Sequence, residues 1–340
     1  MIDNRIPQPI ADALRTGHGV SNAELVAPGM SGAIVFRCDG PHEQSFALRR
    51  WPRGVAIDRV NQIHHVLTVA KKNACDIVPS VVAIDPQRCG PVVCDQTLWD
   101  MCQWMPGRPL ALDASLDQIR RGASAIRQFH RAVESLGSRQ QIAPVVMSRI
   151  ERAAAIDPIL PRAIAAADSH FPADLGHALG RASDLLRQNW PSVAKRITRS
   201  LQRYQVETAS TQWVLRDIHR EHLLFTHDNV TGLVDFDAVR VDSPWADLVR
   251  FGGSFLTGQN NSDDIWEAIL AGYGAVSPFQ GRKKCTPFLD FARDLHFSST
   301  WISLANWVIW LKDQRREFPC GNEPVAARIN ELVKLAVLDS

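Results

Sequence analysis

Apolar positions keep a two-residue period through much of the first hundred residues. In Gln44–Trp51, Phe46, Leu48 and Arg50 share one face, and Ala47, Arg49 and Trp51 share the other, as in a strand. Ala23–Ala27, Ala33–Arg37, Ile77–Ile84 and Gly90–Trp104 read as further strands. Pro79 places the third of these four at an edge or a bulge. Two stretches depart from alternation. Residues 1–22 carry Ile10, Ala13 and Leu14 on one side of a short helix, and Ile57, Val60, Ile63 and Leu67 predict a helix over 56–72. The order strand, strand, strand, helix, strand, strand predicts a small α+β lobe with a mainly antiparallel sheet.

Pro106-Gly107 breaks this pattern, and after Pro109 the period becomes helical. Ser115 and Gln118 fit a capping box, Ile119, Ala123, Ile126, Phe129, Val133 and Leu136 line one face, and Gly137 ends the helix. Residues 140–205 predict three more helices, broken at Pro158, Pro161, Pro172 and Pro191. Trp213–Asp237 then reads as loop, strand hairpin and loop. Ser243 and Pro244 suit the cap and first position of a helix over Trp245–Phe255. An aromatic-rich helix follows over Phe288–Arg316, its tryptophans best read as core.

Composition adds mainly exclusions. The chain has 340 residues, 45% hydrophobic and 22% charged, enough for two lobes of an ordinary globular protein. A net charge of +2 argues against a nucleic-acid partner. Seven cysteines without a CxxC pair argue against a zinc site and fit a reducing cytoplasm. The first residues show no signal-peptide pattern, and Trp301–Leu311 is too short to span a bilayer. The expectation is a cytoplasmic monomer or homodimer with no membrane partner.

Candidate chemistry concentrates in Trp213–Arg250, where Asp217, His219, His222, Asp235 and Asp237 lie within 21 positions around two short apolar runs. Carboxylates and imidazoles at the ends of a hairpin suit a divalent metal and a general base. The run Arg216-Asp217-Ile218-His219-Arg220-Glu221-His222, then Leu223-Leu224-Phe225, then Val234-Asp235-Phe236-Asp237 resembles the H-G-D-x-H-x-x-N and I-D-F-[DE] motifs of the aminoglycoside phosphotransferase and choline kinase superfamily. The resemblance covers roughly residues 23–315. It implies a protein-kinase-like two-lobe α+β fold. Residues 1–104 would form a small antiparallel nucleotide-binding lobe with one helix, and 105–340 a larger, mainly helical lobe with the acceptor pocket.

The resemblance further implies an ATP-dependent phosphotransferase acting on a hydroxyl of a small molecule. Asp217 falls on the catalytic base and Asp235 on the metal ligand, with Asp237 as a possible additional ligand. His219 falls on the second motif His, read as a loop brace. Asp247 resembles the helix-start Asp that braces the catalytic loop. Gly29, Ser31 and Gly32 fall in the nucleotide-covering loop Pro28–Gly32. Arg49 stands where the phosphate-binding Lys is usual, and Arg can pair phosphate oxygens bidentately. Gln103 lies in the link that meets the adenine edge. Met105–Leu110 is close to the family's x-P-G-x-x-L run.

Three departures qualify this. His222 replaces an Asn that would ligate the metal, which shifts the expected cofactor set from ATP and Mg2+ toward Mn2+. Leu215-Arg216 replaces His-Gly before the base. No Glu lies between Glu43 and Glu134, so the helix acid that would pair with Arg49 is missing, and His64 or His65 stands in its region. Two readings stay open, an active kinase and a pseudokinase that binds nucleotide or metabolite without transfer. A metal-dependent hydrolase built on Asp217, His219, His222 and Asp235 ranks third. From Arg139 to Arg203, ten Arg/Lys stand against five Asp/Glu, which favours a neutral or anionic acceptor over a polycation.

Overall fold

The computed structural model describes residues 5–26, 29–30, 32–167, 170–206, 208–257, 262–274 and 286–338. In chain order the elements begin with α1 (Gln8–His18), β1 (Asn22–Leu25), β2 (Ile34–Asp39), β3 (Ser45–Arg50), α2 (Ile57–Lys72), β4 (Val81–Val82), β5 (Val92–Cys94), β6 (Thr97–Gln103) and β7 (Arg108–Pro109). Next come α3 (Leu116–Ala132), β8 (Arg139–Gln141), α4 (Pro144–Ile156), α5 (Leu160–Ala165), α6 (Ala173–Gln202), β9 (Ala209–Val214), β10 (Leu223–Thr226), β11 (Asn229–Leu233) and β12 (Arg240–Asp242). Helices α7 (Pro244–Gly253), α8 (Ser262–Tyr273), α9 (Thr286–Val308) and α10 (Asn322–Leu338) complete the chain, with a π-turn at Ile309–Asp313. No helix among the described residues is long and apolar enough to cross a membrane.

The chain divides into two compact units. The first comprises Met1–Pro109, His222–Asp237 and Phe318–Cys320, and the second Leu110–Glu221, Ala238–Glu317 and Gly321–Ser340. The first unit thus runs past residue 104 and takes in the hairpin that the sequence placed in the helical lobe.

In the first unit a six-stranded sheet runs β1-β2-β3-β6-β4, with β5 on β6, and all its pairs are antiparallel. Its core packs Phe36, Cys38, Phe46, Leu48, Trp99 and Met101 against Ile10 and Leu14 of α1. Among its described residues the unit carries the two helices that the apolar periods predict, α1 and α2. Ile77–Ile84 shortens to the two residues of β4, in keeping with Pro79. The register sets Arg49 opposite Asp100 and Leu48 opposite Met101. Strands β11, β10 and β7 form a second sheet. Gly107 permits this approach: its φ is +111°, and a Cβ there would lie 2.5 Å from Thr231 Oγ1 and 2.9 Å from the Phe225 carbonyl oxygen. The Leu233 N–H donates to the Ile77 carbonyl at 2.6 Å, which ties the hairpin to the loop between α2 and β4.

The second unit is mainly helical. The Ser115–Gln118 capping box is present at α3, with Gln118 N–H to Ser115 Oγ at 3.2 Å. Helix α6 runs unbroken through Pro191, contrary to the expected break. Leu179, Ala182, Leu186, Trp190, Val193, Ile197 and Leu201 form one buried stripe on both sides of the proline. Packing of that stripe against α4, α9 and α10 outweighs a cost of roughly 3 kcal/mol for an interior proline. A short antiparallel sheet, β12-β9-β8, was not expected, because its outer strands are only three polar-rich residues long. Ser243 occupies the N-cap of α7, but its side chain makes no cap bond.

Candidate active site

The candidate residues fall into two sets, one in each unit. In the first unit Arg49 sits in a polar cluster with Asp237. Its Nε and Nη2 donate to Asp100 at 3.1 and 3.0 Å, and its Nη1 pairs with Asp237. The guanidinium also lies 3.7 Å from the centre of the Trp51 ring. Asp100 is buried and accepts two more hydrogen bonds, from Trp51 Nε1 at 3.0 Å and from His64 Nε2 at 2.9 Å. Burial opposes its charge, yet Arg49 and His64 outweigh that and hold its pKa at about 2. For Arg49 too, burial is outweighed by Asp100 and Asp237, which push its pKa above the ordinary value.

This corrects the expectation that Arg49 lacks a carboxylate. The acid absent from α2 is supplied by Asp100 on the neighbouring strand. His64, at the helix position where an acid was expected, becomes a donor to that acid. Asp100 was missed because only the β3–β6 register shows its place. Its trace in the sequence is a lone carboxylate in the apolar run Leu98-Trp99-Asp100-Met101-Cys102. His64, Asp100 and Cys102 also lie close enough to suggest a metal site. Asp100 is already committed to four donors, and burial pushes the Cys102 thiol up to about 12. The trio is better described as the hydrogen-bonded seat of Arg49.

Asp235, with φ +63°, closes the hairpin. Its Oδ1 accepts the Asp237 N–H at 3.3 Å, and its Oδ2 lies 3.5 Å from His222 Nε2. The Val234 N–H donates to the His222 carbonyl at 3.0 Å, so the hairpin ladder brings these two side chains together. Arg59 Nη2 donates to the Asp237 carbonyl at 2.7 Å and fixes the turn. Burial, only partly offset by Arg49, and the neighbouring Asp235 and Asp100 push the Asp237 carboxyl up to about 6. Asp235 and Asp237 lie close enough to repel one another's charge, and a divalent cation would offset that repulsion. Asp235 and His222 would hold such an ion, with Asp237 beside them.

Of the expected nucleotide-loop residues, Gly29 and Gly32 are described, and Ser31 and Pro28 lie outside the described residues. Gly32 has φ +81°, a conformation that favours glycine. Gln103 ends β6 with its side chain exposed and its N–H donated to the Ser80 carbonyl at 2.8 Å.

In the second unit the loop carrying Asp217 hangs from Asp247. The carboxylate of Asp247 is fully buried and accepts the backbone N–H groups of Leu215 at 2.7 Å and Arg216 at 2.6 Å. His130 Nε2 lies 2.9 Å from the same carboxylate, and His130 Nδ1 lies 2.9 Å from the Tyr273 hydroxyl. A chain of polar groups on α3, α7 and α8, buried at His130 and Asp247 and half-buried at Tyr273, therefore fixes the backbone just before Asp217. It holds Arg216 at φ +70°, where a non-glycine residue needs such support. Ser254 Oγ accepts the Arg220 N–H at 3.0 Å on the far side of the loop. Asp217 is half exposed, and Arg250 Nε and Nη2 meet its Oδ1 at 2.9 and 2.7 Å. His219 Nδ1 lies 4.0 Å from Glu221. The Asp247 brace follows the sequence expectation. His130, Tyr273 and Arg250 were not singled out, since residues so far apart in sequence gave no joint pattern.

The sequence matches the model of the phosphotransferase enzyme family over residues 23–288. No protein of curated function matches it. Among solved structures, spectinomycin phosphotransferase in complex with ADP and spectinomycin aligns with a TM-score of 0.68 at 11% identity, covering 98% of both chains. An aminoglycoside phosphotransferase from Alicyclobacillus acidocaldarius aligns at 0.61 and 14% identity, covering 98% of this chain and 92% of that one. An amicoumacin kinase in complex with AMP-PNP, Ca2+ and Ami also aligns at 0.61, with 10% identity and coverage of 98% and 93%. These likenesses share the fold, and the match over residues 23–288 shows that the chain belongs to the phosphotransferase enzyme family.

Proposed function

We propose that the protein transfers the γ-phosphoryl group of ATP to a hydroxyl of a small molecule. The observation that carries this reading is the bracing of Asp217. Two backbone N–H groups pinned by buried Asp247 hold the residues before it in a conformation they would not otherwise keep. Such preorganisation is expected of a group that must meet a reacting atom. In this reading Asp217 accepts the acceptor's hydroxyl proton, as general bases do with effects of roughly 10²–10⁴-fold. Arg49, seated by Asp100 and Trp51, faces the phosphates with a fixed guanidinium. Asp235 and His222 would hold the divalent cation, with Asp237 beside them. When bound, such an ion offsets the charge of the phosphates.

The missing helix acid was one of three reasons to consider binding without transfer, and the pairing of Asp100 with Arg49 weighs against that one. ADP release from ATP should depend on both a divalent ion and an acceptor. It should fall at least about 100-fold in Asp217→Asn, while nucleotide-induced thermal stabilisation persists. Equal turnover in that variant would refute the assignment.

A further inference from the structure

The acceptor's chemical class can be read from the charges around Asp217, given the phosphotransferase reading above. Arg250 of α7 already takes one Asp217 oxygen with two nitrogens. Arg216, one residue before it, is ion-paired with the buried Asp242 of β12. A third guanidinium, Arg149 of α4, has a buried Nε with no hydrogen-bond partner. The charges that act on it are Arg250, Arg216 and the single carboxylate Asp217. Burial, reinforced by the two arginines, pushes its pKa down to about 10.

Other titratable groups nearby do not balance it. Asp242 is committed to Arg216 and to the N–H groups of Val145 and Ser243. Asp247 is saturated by His130 and the loop backbone. Arg240 adds positive charge beside Arg216, and Arg328 adds more beside His296 but is paired with Glu331. His296 faces Arg250 and is held neutral, at about 4, by burial and by Arg250 and Arg328. Arg152, one turn along α4, is turned to Asn306 Oδ1 at 2.9 Å.

The geometry points to an acidic acceptor, a small compound with a hydroxyl and a carboxylate or phosphate, whose anionic group pairs with Arg149 and Arg250. An anion there supplies the charge that Arg149 lacks, since guanidinium groups pair planar oxyanions bidentately. By drawing Arg250 off Asp217, it also frees the oxygen that takes the hydroxyl proton. The step balances. The acceptor oxygen bonds to the γ-phosphorus as the bond to the ADP oxygen breaks. The proton passes to Asp217 and then to solvent, and ADP leaves. A polycation brought to this place would add charge to three arginines.

The test uses matched acceptors: glycerate and glycerol 3-phosphate against glycerol, gluconate against glucose, and kanamycin as the cation. ADP release should favour each acid over its neutral partner by about tenfold or more in kcat/KM. Arg149→Met should collapse that ratio, and Arg149→Lys should retain part of it. Since Arg149→Met removes an uncompensated cation, the free protein should keep or raise its thermal midpoint. Acid binding is read separately as a thermal shift without nucleotide, present in the wild type and lost in Arg149→Met. If the acids shift the wild type but no acceptor releases ADP, the acidic site stands and the phosphotransfer reading falls. Transfer to neutral or cationic acceptors at equal or better kcat/KM would overturn the acidic site and leave phosphotransfer standing. So would a ratio unchanged in Arg149→Met. The absence of both shift and transfer would overturn the acidic site as well.

Discussion

Replacing Asp100 by Asn keeps its shape and removes its charge, so it isolates what seats Arg49. In the wild type the carboxylate is 1% exposed and accepts four hydrogen bonds, three of them from Arg49 and His64. Its pKa of about 2 against an ordinary 3.8 corresponds to native stabilisation on the order of 2–3 kcal/mol at neutral pH. Leaving a buried arginine short of a partner carries a cost of about 3–5 kcal/mol. Asp237 remains on Arg49, so the lower value, about 3 kcal/mol, applies. At about 1.4 °C per kcal/mol for a chain of 340 residues, the thermal midpoint should fall by about 4 °C. The sign with pH follows from the lowered pKa: the contribution is complete above about pH 4 and disappears as pH falls through about 2. Calorimetry at pH 7 gives the stability change, and nucleotide titration gives the binding change, expected at about tenfold weaker. A double-mutant cycle with Arg49→Gln measures the coupling of the pair. A midpoint within about 2 °C of wild type with unchanged nucleotide affinity would refute the claim that Asp100 has taken over the role of the helix acid.

Other consequences are equally specific. His222→Asn should raise the Mg2+-supported rate relative to the Mn2+-supported one, checked by ADP release in each metal, because an amide oxygen suits a hard cation better than an imidazole. Asp247→Asn, which weakens the acceptor of two backbone N–H groups, should lower kcat by at least about tenfold with little change in nucleotide-induced thermal shift. Asp237 has a folded pKa of about 6, above its unfolded value. Its contribution to stability is therefore present below about pH 4 and is lost as pH rises through 6. Asp237→Asn should thus gain stability over wild type as pH rises from 4 to 7 in EDTA, by at most about 3 kcal/mol before solvent screening of a side chain 24% exposed. His296 works the other way: with a folded pKa of about 4, it costs stability as pH falls from 6.5 to 4. His296→Phe should flatten that part of the midpoint-versus-pH curve.

What the sequence showed and hid follows from the range of the interactions. The Leu223–Thr226 and Asn229–Leu233 hairpin and the Ser115 capping box are written in local patterns, while the Asp247 brace, 32 residues from Leu215, was legible only through the family resemblance. The position of Asp100 depends on strand register, and that of Arg250 on where a turn of α7 meets a loop 33 residues earlier. Pro191 misled because local propensity is weak against a continuous buried stripe. Strand β8 escaped notice because three consecutive polar residues carry no readable period. The hairpin's place in the first unit was likewise set by distant partners, Ile77 and Gly107.

The most direct test of the central claim is acceptor-dependent ADP release by Asp217→Asn, measured beside nucleotide-induced thermal shift on the same sample. A loss of turnover of at least about 100-fold with the shift retained is the predicted result. Turnover near the wild-type rate would contradict it.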